Sequence, residues 1–368
     1  MAKRTPLFDL HISGEAKMLD FCGWEMPLHY GSQLHEHAQV RQGAGVFDVS
    51  HMTLLEVKGL EARAFLRYVL ANDVARLQPG QSLYSCILSK TGGILDGVVV
   101  YDRGEAGYIV VANAGTHDKT IAWLNQQIRG FEADLRERLD VAILAVQGPQ
   151  AVALLGEALG SDTGQQVQAL RPFQFLDEQD RIISRTGYTG EDGIEIILPA
   201  TAVTASWERL LNAGIQPCGL GARDSLRLEA GLNLYGNEMD ESTSPLVCGL
   251  GWSVAWEPTD RKFIGRSALE KQRQDKVKTV QIGLVLEERG MLRARQRVVA
   301  PSGATGIVTS GTFSPTLGRA IGLARVPADI GAYCQVDVRS RYCPALVVKP
   351  PFVRHGHCLI GLPSAPPV

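Results

Sequence analysis

Two strand-like segments, Leu83-Tyr-Ser-Cys-Ile-Leu88 and Ile94-Leu-Asp-Gly-Val-Val-Val-Tyr101, flank the turn Thr91-Gly92-Gly93. Both are rich in β-branched, aliphatic and aromatic residues, and paired glycines between two such runs are typical of a β-hairpin. Tyr108-Ile-Val-Val-Ala112 predicts a further strand, and we expect a helix with Thr116 as its N-cap to follow it. This stretch therefore predicts antiparallel strands followed directly by a helix.

Strands and helices continue to alternate to about residue 256, which is typical of an α+β or mixed α/β body. Within that body, Arg181-Ile-Ile-Ser184 and Ile194-Glu-Ile-Ile-Leu198 form a second predicted hairpin. The charge-dense stretch 257–278 indicates a surface helix and a domain boundary. Beyond it, glycines and prolines separate short strand-like segments, which predicts a small β-barrel of about 90 residues. These segments are Val280–Leu286, Gly306–Thr309, Gln335–Val338 and Ala345–Val348.

The composition excludes several classes of protein. The 368 residues include 37 Lys plus Arg and 39 Asp plus Glu, and this near-neutral balance is not typical of a nucleic-acid-binding protein. The seven cysteines are scattered and never spaced as CxxC, so we predict no metal site and a reducing compartment. The sequence shows no signal peptide and no apolar run long enough to cross a membrane. These features predict a cytoplasmic, multidomain protein with no nucleic-acid or membrane partner.

Asp96 is a carboxylate within an otherwise apolar predicted strand. The alternation of side chains along a strand places it on one face with Ile94 and Val98, while Gly97 belongs to the other face. A carboxylate on an apolar face needs a partner, solvent or a ligand. The alternative is a strand-end Asp that accepts hydrogen bonds from its own turn.

Glu195 is likewise a carboxylate within an otherwise apolar predicted strand, here in the second hairpin. An ionised glutamate accepts hydrogen bonds through two oxygens and suits a ligand with two parallel N–H donors. The alternative is a cross-strand ion pair with Arg181 or Arg185, and the sequence does not decide between the two.

Arg223 lies near the start of the helix predicted at 220–231. The helix dipole disfavours a cation there unless the arginine helps the exposed amides to hold an anion. A salt bridge to Asp224 is the alternative. The histidines do not have the spacing of a helical metal pair, and His35 and His37 are interpreted as part of a solvated face.

The ordered motifs of the chain resemble those of the aminomethyltransferase, or T protein, family of the glycine cleavage system. The resemblance covers nearly the whole chain, and the ordered set is specific although each motif alone is weak. Its members are Phe21-Cys-Gly-Trp-Glu-Met-Pro27, Gly45-Val-Phe-Asp-Val-Ser-His-Met52, Gly92-Gly-Ile-Leu-Asp96, Val146-Gln-Gly-Pro149, Arg185-Thr-Gly-Tyr-Thr-Gly-Glu-Asp-Gly193, Gly219-Leu-Gly-Ala-Arg-Asp-Ser-Leu-Arg-Leu-Glu-Ala-Gly231, Leu234-Tyr-Gly-Asn-Glu-Met-Asp240 and Thr309-Ser-Gly-Thr-Phe-Ser-Pro-Thr-Leu-Gly318.

The resemblance implies an α+β fold in which three domains form a cloverleaf around a central folate site, with a small C-terminal β-barrel as one leaf. We expect residues 1–275 to form the folate-binding body of two interleaved α+β subdomains. Residues 276–358 would then form the barrel, and residues 359–368 a disordered tail.

The activity that the resemblance implies is one-carbon transfer in glycine cleavage. The family takes an aminomethyl group from the lipoyl arm of the H protein and passes its methylene to tetrahydrofolate. The products are 5,10-methylenetetrahydrofolate, ammonia and the reduced lipoyl arm. The implied partners are therefore the lipoylated H protein and tetrahydrofolate. The absence of a targeting segment favours the cytoplasm of a bacterium.

Residue by residue, the resemblance assigns the pterin contact to Glu195 and the acidic end of folate to Arg223. Further folate-pocket positions are Tyr188, Tyr84, Asn113 and Met52, and Arg354 is a weaker candidate for an anion site.

The chain departs from the family at one place. The family usually has two consecutive aspartates after the glycine turn, the second of which is credited with chemistry, whereas this chain has Asp96 and Gly97. Asp96 is our predicted catalytic residue, on condition that a bulge, which Gly97 permits, turns its side chain to the other face. The alternatives are a folate-binding paralogue with impaired catalysis and a folate-dependent demethylase of a small methylated substrate.

Overall fold

A computed structural model describes residues 2–178 and 180–361 of the chain. Mixed helices and strands form the body, and a closed barrel of six strands follows it. The predicted α+β class with a small C-terminal barrel is therefore confirmed. Of the tail predicted at 359–368, residues 362–368 lie outside the described residues.

The elements are numbered here in chain order. The strands of the body are β1 (Lys3–Arg4), β2 (Lys17–Phe21), β3 (Trp24–His29), β4 (Gly45–Asp48), β5 (Thr53–Lys58), β6 (Gln81–Leu88), β7 (Ile94–Asp102), β8 (Tyr108–Ala112), β9 (Asp134–Glu137), β10 (Val141–Gln147), β11 (Phe175–Glu178), β12 (Arg181–Ser184), β13 (Gly193–Pro199) and β14 (Gln216–Pro217). Those that follow are β15 (Thr279–Leu286), β16 (Arg297–Val299), β17 (Thr305–Ser314), β18 (Arg319–Pro327), β19 (Tyr333–Val338), β20 (Arg341–Val348), β21 (Val353–Arg354) and β22 (His357–Cys358). The α-helices are α1 (Phe8–Ser13), α2 (Gln33–Gln42), α3 (Ala62–Val69), α4 (His117–Gln127), α5 (Ala151–Leu159), α6 (Ser161–Ala169), α7 (Val203–Asn212), α8 (Leu220–Glu229) and α9 (Arg266–Asp275).

Two sheets form the centre of the body. One has five strands in the order β6-β7-β8-β5-β9, and the other has six in the order β11-β12-β13-β10-β4-β14. Both predicted hairpins are present, since β6 pairs with β7 and β12 pairs with β13, each antiparallel. Helices α3 and α4 pack on the outer face of the five-stranded sheet, and α5 and α7 pack on the outer face of the six-stranded one.

The inner faces of the two sheets pack against each other. Tyr101 of β7 and Ile109 of β8 meet Phe47 of β4 and Ile197 of β13 in one buried apolar cluster. Side chains alternate along each strand, so every second residue of β7 belongs to this inner face and the others face the helices. The site described below lies within this inter-sheet layer.

Helix α4 begins directly after Thr116, as predicted, but the Thr116 side chain does not cap it. Its hydroxyl instead donates a hydrogen bond to Asp96 Oδ2 at 2.6 Å. The predicted N-cap was therefore wrong in its detail, because a buried carboxylate competes for the hydroxyl.

The barrel closes in the order β15-β18-β17-β16-β19-β20. The sequence predicted four of these six strands and missed β16 and β18. Strand β16 has three residues, which is too short for a periodicity signal. Strand β18 is buried along much of its length and includes a glycine and an alanine at its centre, so it lacks the alternation of a half-exposed strand.

A buried ionic cluster fastens the barrel to the body. Glu229, at the end of α8, accepts hydrogen bonds from Arg41 Nη2 at 2.7 Å, from Ser314 Oγ at 2.5 Å and from Thr316 Oγ1 at 2.8 Å. His37 Nε2 lies 3.2 Å from the same carboxylate. The interpretation of His37 as part of a solvated face was wrong, because α2 packs along α8 and buries this side chain.

We expect this cluster to make the free energy of unfolding decrease at acid pH. Burial alone would raise the pKa of Glu229, but His37, Arg41 and Ser314 together lower it from 4.5 to about 2. The stability that the carboxylate contributes is thus complete above pH 4.5 and is lost as the pH falls towards 2. A shift of this size corresponds to about 3 kcal/mol.

Urea unfolding of the wild type and Glu229→Gln between pH 7 and pH 3 measures this effect. The difference in unfolding free energy between the two proteins should shrink as the pH falls, because a protonated Glu229 resembles glutamine. Glu208→Gln, at an exposed position of α7, is the control and should show no such trend. A difference that stays constant with pH would contradict the account.

Candidate functional site: a pocket between the two sheets

A compact pocket lies in the inter-sheet layer. Its walls are mostly apolar, with one carboxylate and one guanidinium among them, which suits an organic ligand with a few polar groups. The residues that line it are Val49, Met52, Tyr101, Val111, Ile143, Glu195, Ile197 and Arg223. The structure therefore brings together three residues predicted for the site, namely Met52, Glu195 and Arg223.

Glu195 lies on the inner face of β13. Thr186 Oγ1 donates a hydrogen bond to its Oε2 at 2.5 Å, and the Thr186 hydroxyl in turn lies 2.7 Å from Ser184 Oγ. This bond orients the carboxylate without an opposing charge. The two arginines considered as its partners bind other carboxylates: Arg181 binds Glu178 and Arg185 binds Asp192.

Arg223 lies in the first turn of α8, and its guanidinium stacks at 4.8 Å on the ring of Tyr188. Its Nη1 is buried and has no hydrogen-bond partner among the described residues. Burial lowers the pKa of Arg223, and the nearby Glu195 opposes that shift. Asp224, the alternative partner, binds Arg227 at 2.9 Å instead. An unpaired buried guanidinium N–H needs an acceptor, which a ligand can supply.

Glu195 and Arg223 line the same compact pocket. The structure thus brings the predicted pterin contact, Glu195, close to Arg223, which was predicted for the acidic end of folate. Both assignments stay predictions.

The remaining predicted positions are not among the residues that line the pocket. The Tyr188 hydroxyl donates a hydrogen bond to the carbonyl of Asn233, and burial raises its pKa to about 12. The Asn113 side-chain amide donates to Asp96 Oδ1 at 2.7 Å and to the carbonyl of Gly97 at 3.1 Å. Tyr84 is partly buried on β6, opposite Val99 of β7.

Arg354 lies on the short hairpin β21–β22 and is exposed. Its neighbour His355 donates a backbone hydrogen bond to Gly190 at 3.0 Å, which places the hairpin beside the loop that carries Tyr188. Within residues 2–178 and 180–361, no ion pair to its guanidinium is found, so its positive charge is available to an anion.

Asp96 lies outside the pocket. A bulge is present, since the β6–β7 register shifts between Ile87 and Leu88, but it does not turn Asp96 to the inner face. The carboxylate instead accepts four hydrogen bonds, from the Gly97 amide, Asn113 Nδ2, Thr116 Oγ1 and Thr120 Oγ1. Burial raises the pKa of Asp96 even though these donors oppose the shift. This geometry does not support the predicted catalytic contact and instead makes Asp96 a support for Asn113 and α4.

Five of the eight residues that line the pocket were not predicted, and Tyr101 is the one among them with a polar group. His51, which does not line the pocket, was not predicted either. Tyr101 lies on the same face of β7 as Gly97, and the alternation of side chains along this strand is the sequence signal that could have identified it. His51 is buried, and burial together with the charge of Arg223 lowers its pKa to about 4, so its imidazole is neutral at pH 7. Its Nδ1 has no partner in the described part of the chain. No spacing signal in the sequence singled it out.

Within residues 2–178 and 180–361, no group of three or more His, Cys, Asp or Glu side chains is arranged to hold a metal ion. None of the helices in that part of the chain combines the length and the apolar character needed to span a bilayer.

We expect Asp96→Ala to lower the free energy of unfolding by about 2–5 kcal/mol, because it leaves buried donors without an acceptor. Urea unfolding measures the loss. The matched control is Asp118→Ala, which removes a fully exposed carboxylate at the second residue of α4. An effect of Asp96→Ala no larger than that of the control would show that the four donors do not hold this carboxylate.

Comparison with known proteins identifies the family. Residues 7–258 match the model of the GCVT N-terminal domain, and residues 279–354 match that of the glycine cleavage T-protein C-terminal barrel domain. The chain is 51% identical over 361 residues to an aminomethyltransferase of Pseudomonas syringae pv. tomato, covering 98% of this chain and 100% of that one. The crystal structure of the glycine cleavage system aminomethyltransferase T from Bartonella henselae superimposes with a TM-score of 0.91 at 37% identity, covering 96% and 99% of the two chains. With this fold, this pocket and these matches along its length, the chain belongs to the glycine cleavage T-protein family.

Proposed function

We propose that the protein transfers the methylene of a lipoyl-bound aminomethyl group to tetrahydrofolate. The observation that carries the proposal is the presence of Glu195 and Arg223 in one mostly apolar pocket, in a chain of which 98% aligns with an aminomethyltransferase. The donor is the aminomethyl-loaded arm of the H protein. The products are 5,10-methylenetetrahydrofolate, ammonia and the dihydrolipoyl arm.

Glu195 is suited to the edge of a pterin ring. That edge carries an N–H and an amino group side by side, and a carboxylate accepts from both at once. Thr186 already donates to Oε2 and holds the plane of the carboxylate. No described residue donates to Oε1, so this oxygen is available to the ligand.

In this proposal Arg223 contacts the pterin end of the ligand, as Glu195 does. A pterin carries a carbonyl oxygen next to its N–H, so a carboxylate and a guanidinium side by side match the order of donors and acceptor along the ring. The ring of Tyr188 fixes the guanidinium from one side. The unpartnered Nη1 of Arg223 then finds its acceptor in the bound ring.

The acidic end of the folate is assigned to Arg354. Its exposed guanidinium suits a carboxylate tail that extends out of the pocket, and the hairpin lies beside the Tyr188 loop. An exposed pair of this kind adds little affinity on its own, so we assign it a role in orienting the tail.

In the reaction, N5 of tetrahydrofolate forms a bond to the sulfur-bound methylene as its C–N bond breaks, and the N5 proton leaves with the amino group as ammonia. The C–S bond then breaks with its electron pair on sulfur, which leaves a positively charged iminium at N5. N10 adds to this carbon, and the N10 proton goes to the thiolate to give the thiol of the arm. A fixed site contributes by holding N5 near the methylene and by electrostatic stabilisation of that charge.

Asp96 acts indirectly in this proposal. Its carboxylate accepts a hydrogen bond from the side-chain amide of Asn113. The same amide also donates to the backbone carbonyl of Gly97, the next residue of β7. Asp96 is thus a positioning residue, and the described carboxylate that lines the pocket is Glu195.

A folate-binding paralogue with impaired turnover is the second candidate. The observation in its favour is that Asp96 faces away from the pocket and Gly97 brings no side chain to it. This candidate predicts binding of tetrahydrofolate without product.

The decisive experiment measures 5,10-methylenetetrahydrofolate and ammonia from aminomethyl-loaded H protein and tetrahydrofolate. The proposal predicts the two products in equal amounts over many turnovers. Tetrahydrofolate binding without either product would overturn it in favour of the paralogue.

Two variants test the contacts at the two ends of the ligand separately. We expect Glu195→Gln to weaken both tetrahydrofolate and a tetrahydropterin without glutamate by about 10- to 100-fold, because it loses charge-assisted bonds to the ring. Arg354→Gln should weaken only tetrahydrofolate, by about 2- to 5-fold. Glu105→Gln, at an exposed site, is the control and should change neither. Calorimetric titration measures all three, and an equal loss for both ligands in Arg354→Gln would contradict the assignment of the tail.

A further inference from the structure

Arg41 lies in the last turn of α2, and its side chain is only 6% exposed. Its Nε and Nη2 donate to Glu229 Oε2 at 3.1 and 2.7 Å, at the end of α8. Its Nη1 donates to Glu191 Oε1 at 2.6 Å and to the carbonyl of Thr189 at 2.9 Å. Glu191 and Thr189 belong to the loop 185–192, which connects β12 to β13. One guanidinium therefore joins this loop to helix α8.

The loop and the helix each carry one member of a stacked pair. Tyr188 lies in the loop, and Arg223 lies in the first turn of α8. The guanidinium of Arg223 stacks on the Tyr188 ring at 4.8 Å and lines the pocket. The place of this guanidinium in the pocket thus depends on how the loop lies against the helix.

Helix α8 has further contacts with α2 along its length. At its start, the amide of Gly219 donates to Glu36 Oε2 at 2.8 Å. In its middle, His37 Nδ1 lies 2.7 Å from Ser225 Oγ. At its end, Glu229 also accepts hydrogen bonds from the barrel. The helix therefore keeps its position against α2 without the guanidinium.

The loop is held in a different way. Its ends are fixed to the six-stranded sheet, since Gln147 Nε2 donates to the carbonyl of Thr186 at 3.1 Å and Arg185 binds Asp192. Its middle is hydrogen-bonded to the hairpin β21–β22, and Arg41 supplies its ionic contact with the end of α8. Loss of this contact should therefore loosen the middle of the loop more than the helix.

We propose that Arg41 is a positioning residue for tetrahydrofolate, because it holds Tyr188 against Arg223 before the ligand binds. The proposal rests on the function proposed above. Arg41 does not line the pocket and acts through the stacked pair. A site that is ordered in advance saves the ligand the cost of ordering it, so this contact contributes to affinity and not to the chemical steps.

Hydrogen exchange of the ligand-free protein tests the contact itself. In Arg41→Lys a single ammonium replaces the planar fork and cannot bind Glu229 and Glu191 in the same geometry. The amides of residues 188–192 should exchange about 5-fold faster or more, while those of α8 change by less than about 2-fold. Mass spectrometry of peptides from the two segments measures both rates.

Arg67→Lys is the matched control for this variant. Arg67 binds Asp73 through two hydrogen bonds of 2.9 and 3.1 Å, and it lies on α3. Its replacement should leave exchange in the loop 185–192 unchanged. Unchanged exchange of that loop in Arg41→Lys, or an equal rise in the loop and in α8, would overturn the proposal.

Steady-state kinetics test the effect on the ligand. Arg41→Lys should raise the KM and the calorimetric Kd for tetrahydrofolate by about 5- to 10-fold, the effect of one side chain that must be ordered on binding. The value of kcat and the KM for loaded H protein should not change, and Arg67→Lys should alter none of these constants. A fall in kcat with an unchanged KM for tetrahydrofolate would contradict a positioning role.

A double-mutant cycle tests whether Arg41 acts through the stacked pair. Tyr188→Leu removes the ring, so Tyr188→Leu/Arg41→Lys should bind tetrahydrofolate about as weakly as Tyr188→Leu alone. Additive losses of affinity would overturn this route.

Glu191→Gln is the second variant and carries the test if Arg41→Lys does not fold. It removes the charge on the loop side only, so we expect the same pattern with a smaller rise in KM of about 2- to 4-fold. An unchanged KM for tetrahydrofolate in Glu191→Gln would count against the proposal.

The two proposals fail in different ways. If the wild type does not bind tetrahydrofolate, the proposed function fails, while hydrogen exchange still reports on the contact of Arg41 with the loop. If the wild type turns over and neither variant changes the KM for tetrahydrofolate, the role of Arg41 alone is wrong.

Discussion

The alternation of side chains along β7 is the constraint on which the site depends. Asp96 points to the helices and binds Thr116 and Thr120 of the α4 region, while Tyr101 points to the second sheet and the pocket. One strand thus supplies a buried polar support on one face and part of the pocket wall on the other. Moving a group from one face to the other would require a register shift of one residue, which would also expose the apolar core.

The two charged side chains of the pocket between the sheets are held in position by residues next to it. Thr186 holds Glu195, and the ring of Tyr188 holds Arg223. At the other end of α8, Glu229 binds Arg41 of α2 and Thr316 of the barrel. Helix α8 therefore carries the pocket residue Arg223 at its start and a contact with the barrel at its end, which links the geometry of the pocket to the position of the barrel.

Much of this arrangement could be predicted from local pattern. The hairpins, the barrel and the opposite orientations of Asp96 and Gly97 follow from alternation and turn residues. The pairing of His37 with Glu229 could not be predicted, because it joins residues far apart in the chain through the packing of α2 on α8. Nor could the hydrogen bonds of Asp96 be predicted, since three of them come from side chains that follow β8 in the chain.

The most direct test of the account is a crystal structure of the protein with tetrahydrofolate bound. The account predicts the pterin edge on the Glu195 carboxylate with Arg223 at the neighbouring carbonyl oxygen. It also predicts Asp96 still bound to Thr116 and Thr120. A structure in which Asp96 turns into the pocket to contact the ligand, or in which the pterin edge lies away from Glu195, would contradict it.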